Sequence, residues 1–178
     1  HPLTETPFYI EKNNQKMRLE IAFQWASETD TVIHSYANSI KTVDGGSHET
    51  GFRNGMTKAL RTYIDRRTLL PKGVSNITSD DVREGLIAII SVYLQGEVEF
   101  QGQTKGRLNS DITSQVESVV KHSLEHHLHE NQTLGDMIAN RIILSAQARI
   151  ASRQAKDAVQ RKTNISHRLN LPGKLSDC

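Results

Sequence analysis

Hydrophobic and polar positions alternate with a period of two near the beginning of the chain. Apolar side chains stand at every second position from Met17 to Trp25, which predicts a long strand with one buried face. Residues 8–11 are predicted to form its hairpin partner across Asn13-Asn14, because asparagine tolerates turn conformations. A third strand is predicted over residues 32–40, and Gly45-Gly46 then interrupts the chain.

A period near 3.6 residues follows in three segments further along the chain. The first runs from residue 51 to about residue 67, and the second covers residues 112–128. The third begins at Thr133, where Thr133 and Asp136 fit a capping box, and it runs for some 30 residues, or about 45 Å. Its apolar stripe thins beyond residue 151, and Leu171-Pro172-Gly173 predicts an extended or turn segment.

An almost continuous apolar run lies between the first and second helices. Residues 86–94 are rich in isoleucine and valine, which predicts a strand that is covered on both faces. The run is far shorter than the roughly 18 residues that a membrane span needs. A loop with several glycines follows over residues 96–106. The chain of 178 residues corresponds to about one domain, with some residues left over.

The net charge of +2 hides a strong asymmetry. Residues 141–168 contain seven basic side chains and one acidic one, which gives this stretch +6 and leaves −4 for the remainder of the chain. On charge alone, the basic stretch fits a solvated helix and an electrostatic contact with a polyanion equally well. No Phe, Tyr or Trp follows Phe100, which excludes base stacking on the last part of the chain.

The cysteine count and the chain ends further restrict the class of protein to which the chain can belong. The single cysteine, Cys178, excludes a disulfide framework and a cysteine-based metal site. The chain begins with His1 and ends on Asp-Cys, so we expect it to be a piece of a longer protein.

Several short motifs do not carry the chemistry that their spacing suggests. Gly46 and Gly51 have the spacing of a phosphate loop, but Phe52-Arg53 stands where Lys-Ser/Thr is required. Residues 45–49 lack the closing glycine of a nucleophile elbow. His122 and His126 share a helix face with His127 and His129 nearby, yet no carboxylate motif accompanies them. We interpret these four as solvated histidines and predict no metal site.

The loop at residues 102–106 is the better candidate for ligand binding. Gly102 and Gly106 permit close approach of the backbone, while Gln103 and Lys105 offer a neutral and a charged donor to an anion such as a phosphate oxygen. Composition alone still favours a plain surface loop. The basic residues on the first helix (Arg53, Lys58 and Arg61) are, on the same ground, a solvated face.

Four separate blocks of residues share one order and spacing with a known family. The blocks are Asp44-Gly-Gly-Ser-His-Glu-x-Gly-Phe-Arg53, Asp80-Asp-Val-Arg-Glu-Gly-Leu86, Phe100-x-x-Gln103-Thr104-Lys105 and Leu171-Pro-Gly-Lys-Leu-x-Asp-Cys178. In order and spacing they resemble the bacterial DNA gyrase B family. The similarity covers essentially the whole chain and is typical of the transducer domain of type IIA topoisomerase ATPase subunits. Departures from the family pattern fall at Ser47, at residues 93–97 and at Ser176.

The resemblance implies a fold and a domain order. The implied fold is α/β, with a small mixed sheet, a left-handed βαβ crossover of a type shared with a ribosomal protein, and a long C-terminal helix. We therefore expect a core with the Gln-Thr-Lys loop over residues 1–130, a long basic helix over 131–166, and a linker over 167–178 toward a TOPRIM domain. In the family, a GHKL ATP-binding domain comes before the transducer.

The resemblance also implies an activity, cofactors and partners. The full-length protein would belong to a cytoplasmic, ATP-hydrolysing isomerase that uses ATP and Mg²⁺. Its partners would be a gyrase A-type breakage-reunion subunit, duplex DNA and a second copy of the same chain, and the fragment alone is expected to be inactive. Two alternatives stay open, namely the ATPase subunit of topoisomerase IV and a non-enzymatic module whose basic helix binds nucleic acid.

Individual residue roles are implied where the family motifs match. Gln103 and Lys105 would contact the γ-phosphate of ATP, with Lys105 as the sensing residue, and Thr104 would shape the loop. Arg53 would face the cavity through which DNA passes, and Arg61 is a weaker candidate for the same wall. No residue is assigned to a metal.

Overall fold

A computed structural model describes the backbone of residues 1–175 and the side chains of residues 1–166. It contains one five-stranded sheet with the strand order β1-β2-β5-β3-β4, a separate two-stranded hairpin, and four helices. The elements in chain order are β1 Phe8–Asn13, β2 Met17–Trp25, β3 Val32–Ala37, β4 Ile40–Lys41, α1 Ser47–Arg66, α2 Ser79–Arg83, β5 Leu86–Leu94, β6 Phe100–Gln101, β7 Arg107–Leu108, α3 Thr113–Glu130 and α4 Gln132–Leu175.

The sheet is mixed, as the family resemblance implies. β1 pairs with β2 and β2 with β5 in antiparallel fashion, whereas β3 runs parallel to β5. The connection between the two parallel strands passes through β4, α1 and α2. The α/β fold class with a long C-terminal helix is therefore confirmed, and the left-handed sense of the crossover stays a prediction.

Asparagine residues occur in both tight turns of the sheet. In the β1–β2 turn, Asn14 Oδ1 accepts hydrogen bonds from the amides of Lys16 (2.9 Å) and Met17 (2.8 Å). The predicted third strand is broken by a second turn, because Asn38 and Ser39 have φ angles of +47° and +66°. Two positive φ angles in succession fit the two-residue hairpin loop that joins β3 to β4.

The core lies between the sheet and the helices α1 and α3. Trp25 is fully buried on β2, and its Nε1 donates to the carbonyl of Val82 at 2.9 Å. Phe23 meets Phe52 of α1 with ring centroids 5.6 Å apart. α3 contributes a buried stripe at helical spacing, formed by Val116, Val120, Leu124 and Leu128.

β5 is covered on one face only, so the prediction of a strand covered on both faces is wrong. Leu86, Ala88 and Ile90 are buried toward the helices, whereas Ile87 and Ile89 on the other face are 46% and 51% exposed. Apolar composition alone does not distinguish a doubly covered strand from one whose outer face is also apolar. The sheet thus presents an uncovered apolar face among the described residues.

α1 begins four residues earlier than predicted. Gly45 and Gly46 have φ angles of +76° and +145°, so the chain turns there and helical geometry starts at Ser47. The first turn contains polar side chains, which gives it no apolar periodicity in the sequence.

The predicted capping box at the start of α4 is also wrong. Asn131 caps the helix, because its Oδ1 accepts the amide of Leu134 at 3.2 Å. Asp136 faces α1 instead, where it accepts hydrogen bonds from the Tyr63 hydroxyl (2.6 Å) and from Arg67 Nε (2.7 Å). These two donors hold the pKa of Asp136 below its usual value, and burial beside this carboxylate raises the pKa of Tyr63 to about 12.

α4 is longer than predicted and divides into two parts. Its first part packs on the core through Ile138, Ile142 and Ala146. The described side chains after Ile150 are all exposed, and the helix continues to Leu175, through the segment at 171–173 that we expected to be extended or a turn. Once a helix is nucleated, each added residue contributes another hydrogen bond, which favours continuation. We call residues 151–175 the arm, which is about 37 Å long.

Two of the basic residues in the predicted +6 stretch hold α4 to the core. Arg149 Nε lies 3.1 Å from Oδ1 of the buried Asp81, and Arg141 Nη2 donates to the Glu28 carbonyl at 2.8 Å. The basic side chains of the arm between residues 153 and 162 are exposed. No helix in the described part of the chain has the length and hydropathy needed to cross a bilayer.

Two glycines allow α1 and α3 to approach closely. A Cβ atom on Gly51 would lie 2.6 Å from the Thr113 carbonyl oxygen, and one on Gly55 would lie 2.7 Å from the Glu117 carbonyl oxygen. Both oxygens belong to the backbone of α3, so neither can move away without a shift of the helix.

We predict that Gly55→Ala lowers the free energy of unfolding by about 1–3 kcal/mol, because overpacking outweighs the roughly 1 kcal/mol that alanine gains in helix propensity. Urea denaturation followed by circular dichroism measures this difference. Asn54→Ala on the exposed side of the same helix is the control and should be neutral or slightly stabilising. An equally stable Gly55→Ala variant would show that close packing of the two helices is not required.

Candidate functional site

The loop that carries Gln103 and Lys105 joins β6 to β7. The side chains of Gln103, Thr104 and Lys105 are exposed. The Lys105 amide donates to the Gly102 carbonyl at 3.2 Å, which closes the loop into a tight turn, and Lys105 itself has φ of +55°. Its Nζ lies 5.7 Å from the centroid of the Phe100 ring, within the range of a cation–π contact.

Gln103 and Lys105 line the same cleft, which has a volume of about 550 Å³. The Lys105 ammonium is the one formal charge among the lining residues, so the cleft is positive. No carboxylate among the side chains of residues 1–166 lies within ion-pair distance of that ammonium. A cleft of this kind suits an anionic group. The remaining lining residues are Asn38, Ile40, Gly96, Val98, Phe100 and Gly102.

The loop is attached to the turn that precedes α1. The amide of Asp44 donates to the Gly106 carbonyl at 2.8 Å, and the amide of Leu108 donates to the Gly45 carbonyl at 3.1 Å. Gly46 and Leu108 form an isolated parallel bridge. We call this pairing of residues 44–46 with residues 106–108 the glycine clamp.

Arg53 lies in a second cleft of about 330 Å³ on the α1 side of the clamp. It forms an ion pair with Glu49 one turn earlier on the helix, with side chains that are 37% and 12% exposed. Arg107, two residues after Lys105, lines the same cleft and donates to the Asp44 carbonyl at 3.2 Å. The second cleft thus contains basic and acidic side chains, unlike the first.

A buried polar network contacts the Glu49 carboxylate in addition to Arg53. Its carboxylate accepts a hydrogen bond from Ser35 Oγ at 3.1 Å, and Ser35 Oγ lies 2.8 Å from Thr42 Oγ1. Thr42 Oγ1 in turn lies 3.0 Å from Nε2 of the fully buried His48. Burial lowers the pKa of His48 to about 4, so its imidazole is neutral at physiological pH.

Two other basic residues of α1, Lys58 and Arg61, contact neighbouring parts of the core domain. Arg61 Nε donates to the Ile77 carbonyl at 2.7 Å, and Lys58 forms an ion pair with Glu117 of α3. Arg61 lies about 12 Å from Arg53 along the helix axis. The structure therefore brings Gln103 and Lys105 together and connects Arg53 to them through the clamp, whereas Arg61 lies apart.

Two of the four histidines of α3 have ordinary protein partners. His122 Nδ1 lies 2.7 Å from the Ser118 carbonyl oxygen, and His126 Nε2 lies 3.1 Å from Glu130 Oε1. Within the described residues, no group of three or more His, Cys, Asp and Glu side chains is arranged to hold a metal ion.

The polar network and the clamp have no signature in the sequence that predicts them. His48 and Glu49 fall in a segment whose only recognisable motif is an incomplete nucleophile elbow. The two clamp segments are more than sixty positions apart in the sequence, and their backbone pairing leaves no pattern in side-chain type. The glycine pair at 45–46 is the one available indication that another backbone comes close.

We predict that the buried His48 makes the fold sensitive to acid. Unfolded His48 takes up a proton below its ordinary pKa of 6.5, whereas folded His48 stays neutral down to about 4. The contribution of neutral His48 to the free energy of unfolding is therefore fully present above pH 6.5. It falls by about 3 kcal/mol as the pH is lowered to 4.

The measurement is the free energy of unfolding of the wild type minus that of His48→Gln, followed from pH 7 to pH 4. This difference should shrink with acidification, because the variant lacks the titrating group. Asn54→Ala, which removes an exposed side chain with no ionisable group, is the control and should give a difference that does not change with pH. A constant difference for His48→Gln would contradict a strongly lowered pKa.

The chain has clear relatives among known proteins. A family model described as DNA gyrase B matches residues 1–158. The DNA gyrase B protein of Cytophaga hutchinsonii is 42% identical over 177 residues, which cover 99% of this chain and 37% of that protein. The DNA gyrase B protein of Mycobacterium tuberculosis is 44% identical over 163 residues, which cover 90% of this chain and 24% of that protein. The chain thus spans roughly a quarter to a third of these relatives.

Two solved structures of related topoisomerase subunits also match this chain. The 43K ATPase domain of Thermus thermophilus gyrase B, in complex with an aminocoumarin, matches with a TM-score of 0.79 and 32% identity over 88% of this chain and 42% of that one. The topoisomerase IV ATP-binding domain of Francisella tularensis, in complex with a small-molecule inhibitor, matches with a TM-score of 0.72 and 34% identity over 81% of this chain and 40% of that one.

Proposed function

We propose a function for this chain from the family to which it belongs, since it is a member of the DNA gyrase B family. In the proposal, the chain is the transducer part of an ATP-dependent type IIA DNA topoisomerase. It senses the γ-phosphate of ATP through Lys105 and Gln103 and couples hydrolysis to DNA strand passage. The names of its relatives favour gyrase B over the ATPase subunit of topoisomerase IV.

The observation that carries the proposal is the position of Lys105 in a cleft with no opposing charge. Its ammonium is exposed and Gln103 lines the same cleft, so two donors are available to one anionic group. A charge-assisted hydrogen bond from lysine to phosphate contributes about 1.5–3 kcal/mol. Because that bond exists only while the γ-phosphate does, it supplies the difference in affinity that a conformational change requires.

The described residues fit a phosphate contact and do not supply a magnesium site. The cleft contains amide and ammonium donors, whereas Mg²⁺ needs carboxylate or other oxygen ligands. ATP provides the phosphoryl group whose hydrolysis drives the cycle, and most of its binding would come from the GHKL domain of the same protein. In this division of roles, Lys105 and Gln103 orient the γ-phosphate from one side.

We predict that Lys105→Ala in the full-length protein lowers kcat for ATP hydrolysis about 10- to 100-fold, which corresponds to one lost charge-assisted contact. Nucleotide binding should weaken only modestly, because most contacts lie elsewhere. Steady-state ATP turnover and equilibrium binding of a nonhydrolysable analogue measure the two effects. Lys12→Ala, at the far edge of the sheet, is the control and should leave both unchanged. Unchanged turnover in Lys105→Ala would refute the sensing role.

Arg53 is the proposed DNA-facing residue. It is partly exposed and forms an ion pair with Glu49, which fixes the direction of its guanidinium on α1. Contact with a transported DNA segment needs attraction to phosphate and no base recognition, and arginine provides this. Arg61 remains the weaker candidate, because its Nε already donates to the Ile77 carbonyl.

We predict that Arg53→Gln weakens the stimulation of ATP hydrolysis by duplex DNA and reduces its salt dependence by about one unit of log–log slope. Turnover without DNA should change little. Arg66→Gln at the opposite end of α1 is the control, since it removes the same charge about 20 Å away. Equal losses in both variants would attribute the effect to general charge and would contradict a specific role of Arg53.

The remaining parts of the proposal concern the arm and the partners. Rotation of the core would move the arm, because the arm continues the first part of α4, which Arg149 and Arg141 hold to the core. In the proposed holoenzyme, the arm leads toward the TOPRIM domain, and the partners are a gyrase A-type subunit, duplex DNA and a second copy of the same chain. We infer that this chain alone, without the nucleotide-binding domain, has no ATPase activity.

A further inference from the structure

We propose that the glycine clamp positions Lys105 for its contact with phosphate, with Gly46 as the residue on which the clamp depends. This inference rests on the proposed function of Lys105 and adds a positioning residue to it. Gly46 lies in the motif at residues 45–49, which fits neither a phosphate loop nor a nucleophile elbow.

The clamp fixes the stem of the loop at its C-terminal end. Lys105 directly precedes Gly106, whose carbonyl accepts the Asp44 amide at 2.8 Å. Two residues later, the Leu108 amide donates to the Gly45 carbonyl at 3.1 Å. Leu108 is also 1% exposed, so its side chain anchors β7 in the core. Lys105 is therefore held one residue from a backbone segment that cannot shift without breaking these bonds.

The other end of the loop is held mainly by its own hairpin and by Phe100. β6 pairs with β7 through two residue pairs, Phe100↔Leu108 and Gln101↔Arg107, and the Glu99 carbonyl accepts the Asn109 amide at 2.8 Å. Gly102 has nothing within 4 Å of the position of its missing Cβ, so its surroundings are open. The Gln103 side chain is exposed, and the Lys105 ammonium contacts the ring of Phe100, which packs against the core. The position of the loop relative to α1 thus depends on the clamp and on the packing of Phe100.

No residue other than glycine fits at position 46 without displacing β7. Gly46 has φ of +145°, and a Cβ there would lie 2.6 Å from the Leu108 carbonyl oxygen and 2.7 Å from the Leu108 amide nitrogen. Both atoms are backbone, so a side chain cannot rotate away to make room. At Gly106 the conflict is milder, because the nearest atom at 2.6 Å is a carboxylate oxygen of Asp44, which can rotate.

The clamp also joins the loop to α1. Gly46 directly precedes Ser47, the first residue of α1, and Glu49 and Arg53 follow within two turns. A force on Lys105 is therefore transmitted through two backbone hydrogen bonds to the start of the helix that carries the proposed DNA contact.

The test compares Gly46→Ala and the milder Gly106→Ala in the full-length protein. We expect Gly46→Ala to lower kcat for ATP hydrolysis by about 10- to 100-fold with little change in nucleotide binding, and Gly106→Ala to have a smaller effect in the same direction. Gly73→Ala is the matched control, because Gly73 has a similar positive φ of +90° and open space around it. Wild-type turnover in Gly46→Ala would overturn the inference.

Two further measurements separate positioning from general damage and from failure of the proposed function. Hydrogen exchange should show faster exchange at the amides of Asp44 and Leu108 in Gly46→Ala, with protection retained in the core strands. In the double variant with Lys105→Ala, the Gly46→Ala substitution should cause little further loss of turnover, whereas additive losses would indicate a separate structural role. If Lys105→Ala alone has no effect, the proposed function itself fails. If Lys105→Ala lowers turnover, but Gly46→Ala speeds exchange at Asp44 and Leu108 without lowering turnover, only the positioning role fails.

Should Gly46→Ala not fold, the decision passes to Gly106→Ala. The inference would be supported if Gly106→Ala lowers turnover in the wild-type protein but causes no further loss in the Lys105→Ala variant. Faster exchange at Asp44 with unchanged turnover would overturn it.

Discussion

The backbone pairing between residues 44–46 and 106–108 is the constraint on which the arrangement of both clefts depends. It brings a loop with an exposed ammonium to the first turn of α1, although the two segments are far apart in the chain. Two hydrogen bonds between backbone groups contribute little stability individually, but they specify one relative position. The absence of a Cβ at position 46 allows the two backbones to come this close.

Charge is distributed so that each cleft has a different character. The cleft of Lys105 has no opposing carboxylate in its lining, which leaves the ammonium available to a ligand. Arg53, by contrast, is held by Glu49, and Glu49 is supported by Ser35, Thr42 and a neutral His48. Of the basic stretch in α4, Arg141 and Arg149 hold the helix to the core, while the basic residues of the arm between positions 153 and 162 are exposed.

Periodicity is sufficient to predict the elements whose burial is one-sided. β2, its hairpin with β1 and the helix α3 follow the predicted pattern, because alternate or helically spaced residues face one core. Prediction from periodicity fails where tertiary contacts determine the position of a side chain. Asp136 leaves its predicted capping role for Tyr63 and Arg67, and β5 keeps one apolar face uncovered. The residues of the Lys105 site come from a family resemblance, whereas the glycine pair at 45–46 is the one indication in the sequence of the backbone pairing in the clamp.

The most direct test of the account is hydrogen exchange at the Leu108 amide in the full-length protein. This amide donates to the Gly45 carbonyl across the clamp, so its exchange rate reports how often the clamp opens. If a phosphate contact at Lys105 tightens the clamp, exchange should be about tenfold slower with a nonhydrolysable ATP analogue than with ADP, and Lys105→Ala should abolish the difference. Equal exchange rates with the two nucleotides in the wild type would contradict the account.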